Sequence, residues 1–255
     1  MQTNKIALIT GATSGIGMAT TKVLSALGYN TIITGRRAER LSKFKQEIES
    51  TYHTGVLTLC FDIQNEEQTA EALNSIPKEW KNTDILINNA GLASGAEKIY
   101  EEAWDKWAQM LDTNVKGLLF LSKEVIKGMV ERKSGHIVNI SSIAGINVYE
   151  GGSVYCASKH AVNAITKGMR IDLLKHNIRV TSVSPGMVET EFSLVRFGGD
   201  KEKADKVYNG LIPLSAMDVA QAIEFAVTRP PHVNINDILI MPTQQADAYN
   251  TYRRL

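Results

Sequence analysis

The stretch KIALITGATSGIG, Lys5 to Gly17, decides the fold. KIALIT is a short apolar run with the length of a buried strand. It breaks into a glycine-rich turn, GATSGIG, and a helical pattern follows through Ala26, with Gly28 standing where a helix stops. That order places Gly11, Gly15 and Gly17 where backbone must approach a pyrophosphate closely and where the helix packs on the strand. The N–H groups at the helix start then face the phosphates. The spacing is G-x-x-x-G-x-G, so the general G-x-G-x-x-G dinucleotide fingerprint is not strictly matched, although its strand and helix context is present.

Working outward, a second strand, NTIITG, ends in Gly35-Arg36-Arg37. A site for NAD usually carries an acidic residue here to bind the ribose 2′-hydroxyl. Two guanidiniums stand there instead, and they suit a 2′-phosphate through charge-assisted hydrogen bonds. The sign and position therefore point to NADP. A charged helix from about Ala38 to Ser50 leads to a third strand, GVLTLCF, ending at Asp62. That carboxylate could accept a hydrogen bond from an adenine amino group, or it could cap the following helix.

A fourth strand, DILINNAG, delivers Asn88, Asn89, Ala90 and Gly91 to the same edge, with Asn89 a candidate for the crevice and Asn88 for bracing strand ends. Residues Trp104 to Val130 read as one or two long helices with Asn114 inside the pattern, an unfavourable place for asparagine that hints at a local task. HIVNIS and NIRVTSVSPG supply strands five and six, and DILI near the end supplies a seventh. Near-continuous apolar strands alternating with helices imply an α/β protein with a parallel sheet covered on both faces. No linker or repeat divides residues 1–255, so one domain is expected.

Composition narrows the partners. A net charge of +1 gives no long-range attraction to nucleic acid or to an anionic membrane surface. Cys60 and Cys156 form neither a disulfide framework nor a metal motif, no metal is expected, and a packing role suits Cys156 best. No apolar run is long enough to span a bilayer, and the start, MQTNK, lacks the shape of a signal peptide. The expectation is a reduced, cytoplasmic enzyme.

The chemistry lies in SIAGINVYEGGSVYCASK, Ser142 to Lys159. Ala161, Val162, Ile165, Met169, Leu173 and Leu174 continue it at helical spacing, so Tyr155 and Lys159 share one helix face. An ammonium near a phenol favours the phenolate and makes the phenol a stronger acid. Ser142 follows strand five, at the carboxyl edge where open α/β sheets bind ligands. Proton donor, cation and hydroxyl together suit reduction of a carbonyl or oxidation of an alcohol.

With these residues in place, the chain resembles the short-chain dehydrogenase/reductase family over nearly its whole length. The glycine motif is matched by Thr10-Gly11-x-x-x-Gly15-Ile16-Gly17, N-N-A-G by Asn88 to Gly91, and P-G by Pro185-Gly186. The active-site tetrad maps onto Asn114, Ser142, Tyr155 and Lys159. The resemblance implies a doubly wound, seven-stranded parallel sheet of the Rossmann type. It implies NADP contacts from Gly11, Thr13, Ser14, Gly15, Ile16 and Gly17, from Arg36, Arg37, Asp62 and Ile63, and from Asn89, Ala90 and Gly91. Tyr155, Lys159, Pro185, Gly186, Val188 and Thr190 complete the cofactor set, Thr190 beside the nicotinamide carboxamide. Lys159 would hold the nicotinamide ribose, and Asn114 a water linking Lys159 to solvent.

Within the family the chain is most similar to the NADP-dependent 3-hydroxy acid dehydrogenases, including serine and allothreonine 3-dehydrogenases. TGRRAERL, SLVRFGGDKEKADKVY and PPHVNINDILIMPTQQ carry that likeness. It implies a cytoplasmic homotetramer acting on small 3-hydroxy acids or 3-oxo acids. A segment over about residues 190–212 would cover the substrate, and Arg196 within it is the candidate cation for a carboxylate, a solvated or intersubunit arginine being the alternative. The extension at 242–255 could dock on a neighbouring subunit or hang loose. The same core also serves 3-oxoacyl-thioester reductases and polyol, sugar or steroid dehydrogenases, and a catalytically silent NADP sensor is the rival outside enzymes.

Overall fold

The computed structural model describes residues 5–254; the opening MQTN and Leu255 lie outside the described residues. Seven strands run parallel: β1 (Ile6–Ile9), β2 (Asn30–Gly35), β3 (Val56–Cys60), β4 (Thr83–Asn88), β5 (Gly135–Ile140), β6 (Ile178–Pro185) and β7 (Asp237–Ile240). Their order across the sheet is β3-β2-β1-β4-β5-β6-β7. The expected doubly wound α/β architecture is therefore present. After β3 the chain crosses to the other side of β1 to start β4, and a crevice opens at that switch point beyond the carboxyl ends of the strands.

Both sheet faces are dry across β1, β2, β4, β5 and β6, which explains their near-continuous apolar runs, while the edge strand β7 leaves Asp237 and Leu239 exposed. Ala7, Ile9, Ile33, Ile85, Ile87 and Val138 point to one face, where α1 (Gly15–Ala26), α2 (Ala38–Tyr52) and a C-terminal helix bring Leu24, Phe44 and Ile223. Leu8, Ile32, Leu86 and Ile137 point to the other, against Leu121 and Met129. The alternation of neighbours between faces is the period-two signature of strands. Burying each such Leu or Ile side chain contributes roughly 1.5–3 kcal/mol, so the strand cores dominate the stability.

The helices refine the sequence reading. The helix after β3, α3 (Glu66–Asn74), is capped by Asn65, whose side chain accepts a hydrogen bond from Gln68 N. Asp62 is therefore not the cap: its carboxylate instead accepts from Gln64 N and pairs with Arg36. The Trp104–Val130 pattern resolves into α4 (Trp104–Leu111), a π-type turn (Asp112–Gly117) that contains Asn114, and α5 (Leu118–Arg132). A π-type turn inside a helical run is a frequent mark of a functional position. Next, α6 (Ser153–Asp172) buries Tyr155, Lys159, Val162 and Thr166 along one stripe, whereas Leu174 lies beyond the helix end and is exposed. The apolar series predicted from spacing thus straddles the buried face.

Two short helices, α7 (Glu191–Arg196) and α8 (Lys201–Lys206), follow β6, and α9 (Ala216–Val227) returns to the sheet with a capping box between Ser215 and Asp218. The C-terminal extension, as far as it is described, folds back on its own chain. Arg254 N donates to Gly210 O, Arg253 donates to the carbonyls of Val207 and Asn209, and Gln245 accepts from Met187 N. A loose tail is overturned, because these bonds tie it to the loops that follow β6 and α8.

The glycine turn is held where β1 and β4 end side by side. Thr10 Oγ1 accepts from Asn89 N and Ala90 N, and Asn89 Nδ2 donates to the carbonyl of Thr10 at 2.8 Å. A Cβ on Gly17 would stand 2.5 Å from both Gly11 O and Asn89 Nδ2, so only glycine lets α1 start this close to the turn. Gly17→Ala should therefore destabilise the fold by about 1–3 kcal/mol, the cost of overpacking a close contact. Denaturant unfolding would read this as a lower midpoint with an unchanged slope.

Candidate active site

A cavity of ≈ 530 Å³ occupies the crevice. At one end it is walled by the glycine turn, Arg36, Arg37 and Asp62, and at the other by Ser142, Tyr155 and Lys159. Ile16, Ile63, Ala90, Gly91, Pro185, Gly186, Val188 and Thr190 also line it. Gly17 and Asn114 do not; both stand behind the wall, where Gly17 packs the turn and Asn114 braces the floor.

The brace is specific. Asn114 Oδ1 accepts from Leu92 N at 2.9 Å, and its amide donates to Leu92 O at 2.8 Å and to Ser158 Oγ at 3.0 Å. Ser158 Oγ in turn donates to Tyr155 O, so the loop after β4 is fastened to the turn of α6 that carries the phenol. With both amide hydrogens used, a water would have to meet the backbone of Asn114 or the second lone pair of Oδ1. Asn88 is a brace too: its amide donates to Ser122 and Asn139.

Ser142, at the end of β5, has extended backbone, and its hydroxyl accepts from Ala144 N at 3.1 Å. Lys159 is 5% exposed, its Nζ donates to Ile140 O at 3.0 Å, and it lies 5.9 Å from the centre of the Tyr155 ring. Burial alone pulls its pKa down to about 8. The buried Tyr155 phenol is pushed up, by burial first and then by Tyr149, while a hydrogen bond with Ser142 and the Arg196 guanidinium pull it back. The downward pull expected from Lys159 is not among these effects, of which burial is the largest. One ammonium hydrogen goes to the Ile140 carbonyl, and desolvation of the phenol outweighs the downward pulls of Ser142 and Arg196.

The opposite wall is built largely by the segment expected to cover the substrate, Arg196 included, and adds Phe192, Tyr149, Tyr208 and Gln245, which sequence reading does not single out. Phe192 on α7 lies 5.7 Å from Tyr155, ring centre to ring centre. Arg196 places its guanidinium over Tyr149 at 5.5 Å, donates to Tyr149 Oη at 3.1 Å and to Gly95 O at 3.2 Å, and borders the cavity. Tyr208, which donates to Val188 O and shares a hydrogen bond with Ser193, also borders it, as does Gln245 from the tail. Tyr149, six residues before Tyr155, is the one of these with a local signal, its place in the loop between Ser142 and the catalytic-type helix.

At the opposite end, Arg37 donates to Thr13 Oγ1 and Ser14 Oγ, which fixes it over the glycine turn, and Arg36 pairs with Asp62 at 3.5 Å. Among the described residues no group of His, Cys, Asp or Glu could hold a metal ion, and no helix is long and apolar enough to cross a membrane.

Comparison with known proteins now decides the family. The short chain dehydrogenase profile matches residues 5–197. The chain belongs to the short-chain dehydrogenase family. It is 44% identical over 251 residues to the NADP-dependent 3-hydroxy acid dehydrogenase YdfG of Escherichia coli (strain K12), covering 98% of this chain and 100% of that one. It is 43% identical to the serine 3-dehydrogenase of Rhizobium radiobacter, covering 96% and 97%. The closed form of serine dehydrogenase complexed with NADP+ superposes with a TM-score of 0.91 at 43% identity, covering 98% of this chain and 100% of that one.

The buried ammonium carries a stability signature. Below about pH 8 the folded chain must keep Lys159 charged in the interior; between there and its ordinary value of 10.5 the folded state has released the proton and the unfolded state has not. More protons are bound by the unfolded state in that window, so stability rises with pH across it. Lys159→Met should then be more stable than the parent at pH 7, by up to about 3 kcal/mol. The advantage should vanish towards pH 10.5, as checked by denaturant midpoints across pH.

Proposed function

We propose that this protein is an NADP-dependent dehydrogenase that interconverts small 3-hydroxy acids and the corresponding 3-oxo compounds, with Tyr155 as its general acid and base. The observation that carries the reading is one cavity with two guanidiniums at the far end and a phenol, a hydroxyl and Arg196 gathered at the other. The residues present fit the cofactor. Arg36 and Arg37 replace the acid that an NAD site carries, and the glycine turn, Asn89 and Thr190 border the space between the two ends.

The bound nicotinamide supplies or accepts the hydride, and the protein handles binding, orientation and the proton. Arg36 and Arg37 hold the 2′-phosphate, and Asp62 stands where it can meet the adenine. Lys159, with three ammonium hydrogens and one given to Ile140, has donors for ribose hydroxyls. In the reducing direction Ser142 donates a hydrogen bond to the substrate carbonyl oxygen and stabilises its developing charge. Tyr155 then gives its proton to that oxygen. A phenol whose pKa is raised by burial stays protonated through neutral pH, as a proton donor must. In oxidation Tyr155 first passes its own proton, by way of Lys159 and a water held near Asn114, to solvent, and its phenolate oxygen then receives the proton of the substrate hydroxyl.

Arg196 binds the substrate carboxylate. Two of its five N–H donors go to Gly95 and Tyr149 among the described residues, and those bonds hold the guanidinium facing the cavity wall near Tyr155. Phe192, Tyr149 and Tyr208 line the same cavity beside it. A homotetramer and a cytoplasmic setting belong to the same reading and rest on the family likeness.

A panel of serine, allothreonine, 3-hydroxybutyrate and an acyl thioester, followed by nicotinamide absorbance with NADP+ and with NAD+, tests the assignment. Turnover of the small acids with NADP+ supports it, and exclusive turnover of the thioester defeats it. Tyr155→Phe should lose at least the roughly 10²–10⁴-fold typical of general acid–base catalysis while still binding NADPH. Arg196→Ala should raise the KM for the acids and leave that of a neutral alcohol little changed. Equal effects on both would remove Arg196 from the carboxylate site.

A further inference from the structure

Arg37, at the far end of the cavity, and Arg40, one turn on in α2, are engaged by a residue from the opposite wall. Glu191, the first residue of α7, accepts from Arg37 at 3.0 Å through Oε2 and from Arg40 at 2.8 Å through Oε1. Arg40 also reaches Oε2 at 3.0 Å. These bonds hold the carboxyl pKa below its usual range, against a burial effect that acts the other way. Arg37 has little capacity left. Its Nε and second terminal nitrogen are directed at Thr13 and Ser14, so the edge facing Glu191 is the one turned to a charged acceptor.

We propose that Glu191, held by Arg40, competes with the 2′-phosphate of the dinucleotide for Arg37, so that phosphate binding and the seating of α7 over the active site are coupled through one carboxylate. This rests on the reading of Arg36 and Arg37 as the phosphate site. A phosphate approaching Arg37 must take the Glu191 edge or strip two hydroxyl partners, and a carboxylate beside a phosphate adds like-charge repulsion. The exchange replaces one anion by another of higher charge, so the guanidiniums stay satisfied throughout.

The position of Glu191 makes the competition matter at the other end of the cavity. Thr190, immediately before it, lines the cavity and caps α7, with its hydroxyl accepting from Phe192 N. Phe192, immediately after it, packs on Tyr155, and Arg196 closes the same helix. A release of the Glu191 carboxylate therefore loosens the first turn of the helix that carries the substrate-facing groups, while Arg196 and Ser193 still hold its far end. A nucleotide without the 2′-phosphate has nothing to exchange and leaves the carboxylate in place. Glu191 is in this sense a positioning and specificity residue, since it acts on cofactor choice through Arg37 and Arg40.

The test is Glu191→Gln in the full-length chain, with NADP+, NAD+ and adenosine 2′,5′-bisphosphate titrated by calorimetry. The variant should bind NADP+ and the bisphosphate roughly two- to ten-fold more tightly, with NAD+ affinity unchanged. Hydrogen exchange of residues 191–197 supplies a second readout. In the parent, saturating NADP+ should leave this helix less protected than saturating NAD+, and in Glu191→Gln the two should match. Unchanged or weakened NADP+ binding in the variant, or an equal change for NAD+, overturns the proposal. A parent chain that binds NAD+ as well as NADP+, with Arg37→Gln altering neither, would instead show that the phosphate-site reading itself is wrong.

Discussion

Lys159 fastens α6 to the end of β5, and the positions of Tyr155 and Ser142 depend on that joint. Its ammonium donates to Ile140 O and its own carbonyl accepts from Ser141 Oγ, so one residue is tied at both ends to the last residues of the strand. Asn163, one turn further along, donates to Gly145 O, and Ser182 on β6 donates to it. The phenol and the hydroxyl come from segments 13 residues apart and would otherwise be linked only by the loop that includes Tyr149. Holding a charge this deep works against folding, and the site accepts that opposition in exchange for a fixed geometry.

What could be read in the chain beforehand follows from how local each signal is. The strand, glycine turn and helix of Lys5 to Ala26 are contiguous, and the Tyr155–Lys159 pair is a helix turn apart, so spacing alone placed both. The seven strands were legible because both sheet faces are covered and every strand reads apolar. Asp62 was open to two roles, and the cap of α3 falls three residues later, because Asp62 and Asn65 are both good capping types and only the path of the chain chooses between them. The burial of Tyr155 carries no such local signal. Spacing shows that a cation is near, while burial, the largest effect on the phenol, depends on Phe192, Tyr149 and the strands that close the site.

The covering segment and Arg196 could be picked out along the chain, but their partners could not, because they are distant in sequence. Glu191 is 151 residues from Arg40 and 154 from Arg37, and Arg196 is 101 residues from Gly95. Charged residues in a polar segment carry no periodicity that would say which of them face inward. The tail presents the same difficulty. Its tyrosines and arginines read as an extension, yet Gln245 reaches back to Met187 N and borders the cavity. The covering segment is thus held from three directions: the tail, the loop at Gly95 and the arginines after β2.

Those anchors differ in strength in a way that fits a moving cover. The Gly95 contact is reciprocal, with the backbone N of Gly95 donating to Arg196 O while the Arg196 side chain returns a bond to Gly95 O. The Tyr208 hydroxyl joins Ser193 to Val188 within the segment itself. By contrast, Glu191, Arg37 and Arg40 are each at least 40% exposed at the side chain, so each ion pair is worth about 0.2–1 kcal/mol and is weakened by salt. An anchor of that size holds a helix in register without locking it. A buried pair in the same place would cost several kcal/mol to break and would leave an unpaired charge behind, which would trap the nucleotide or exclude it. Exposure is therefore what allows an anion from the ligand to replace an anion from the protein at these arginines.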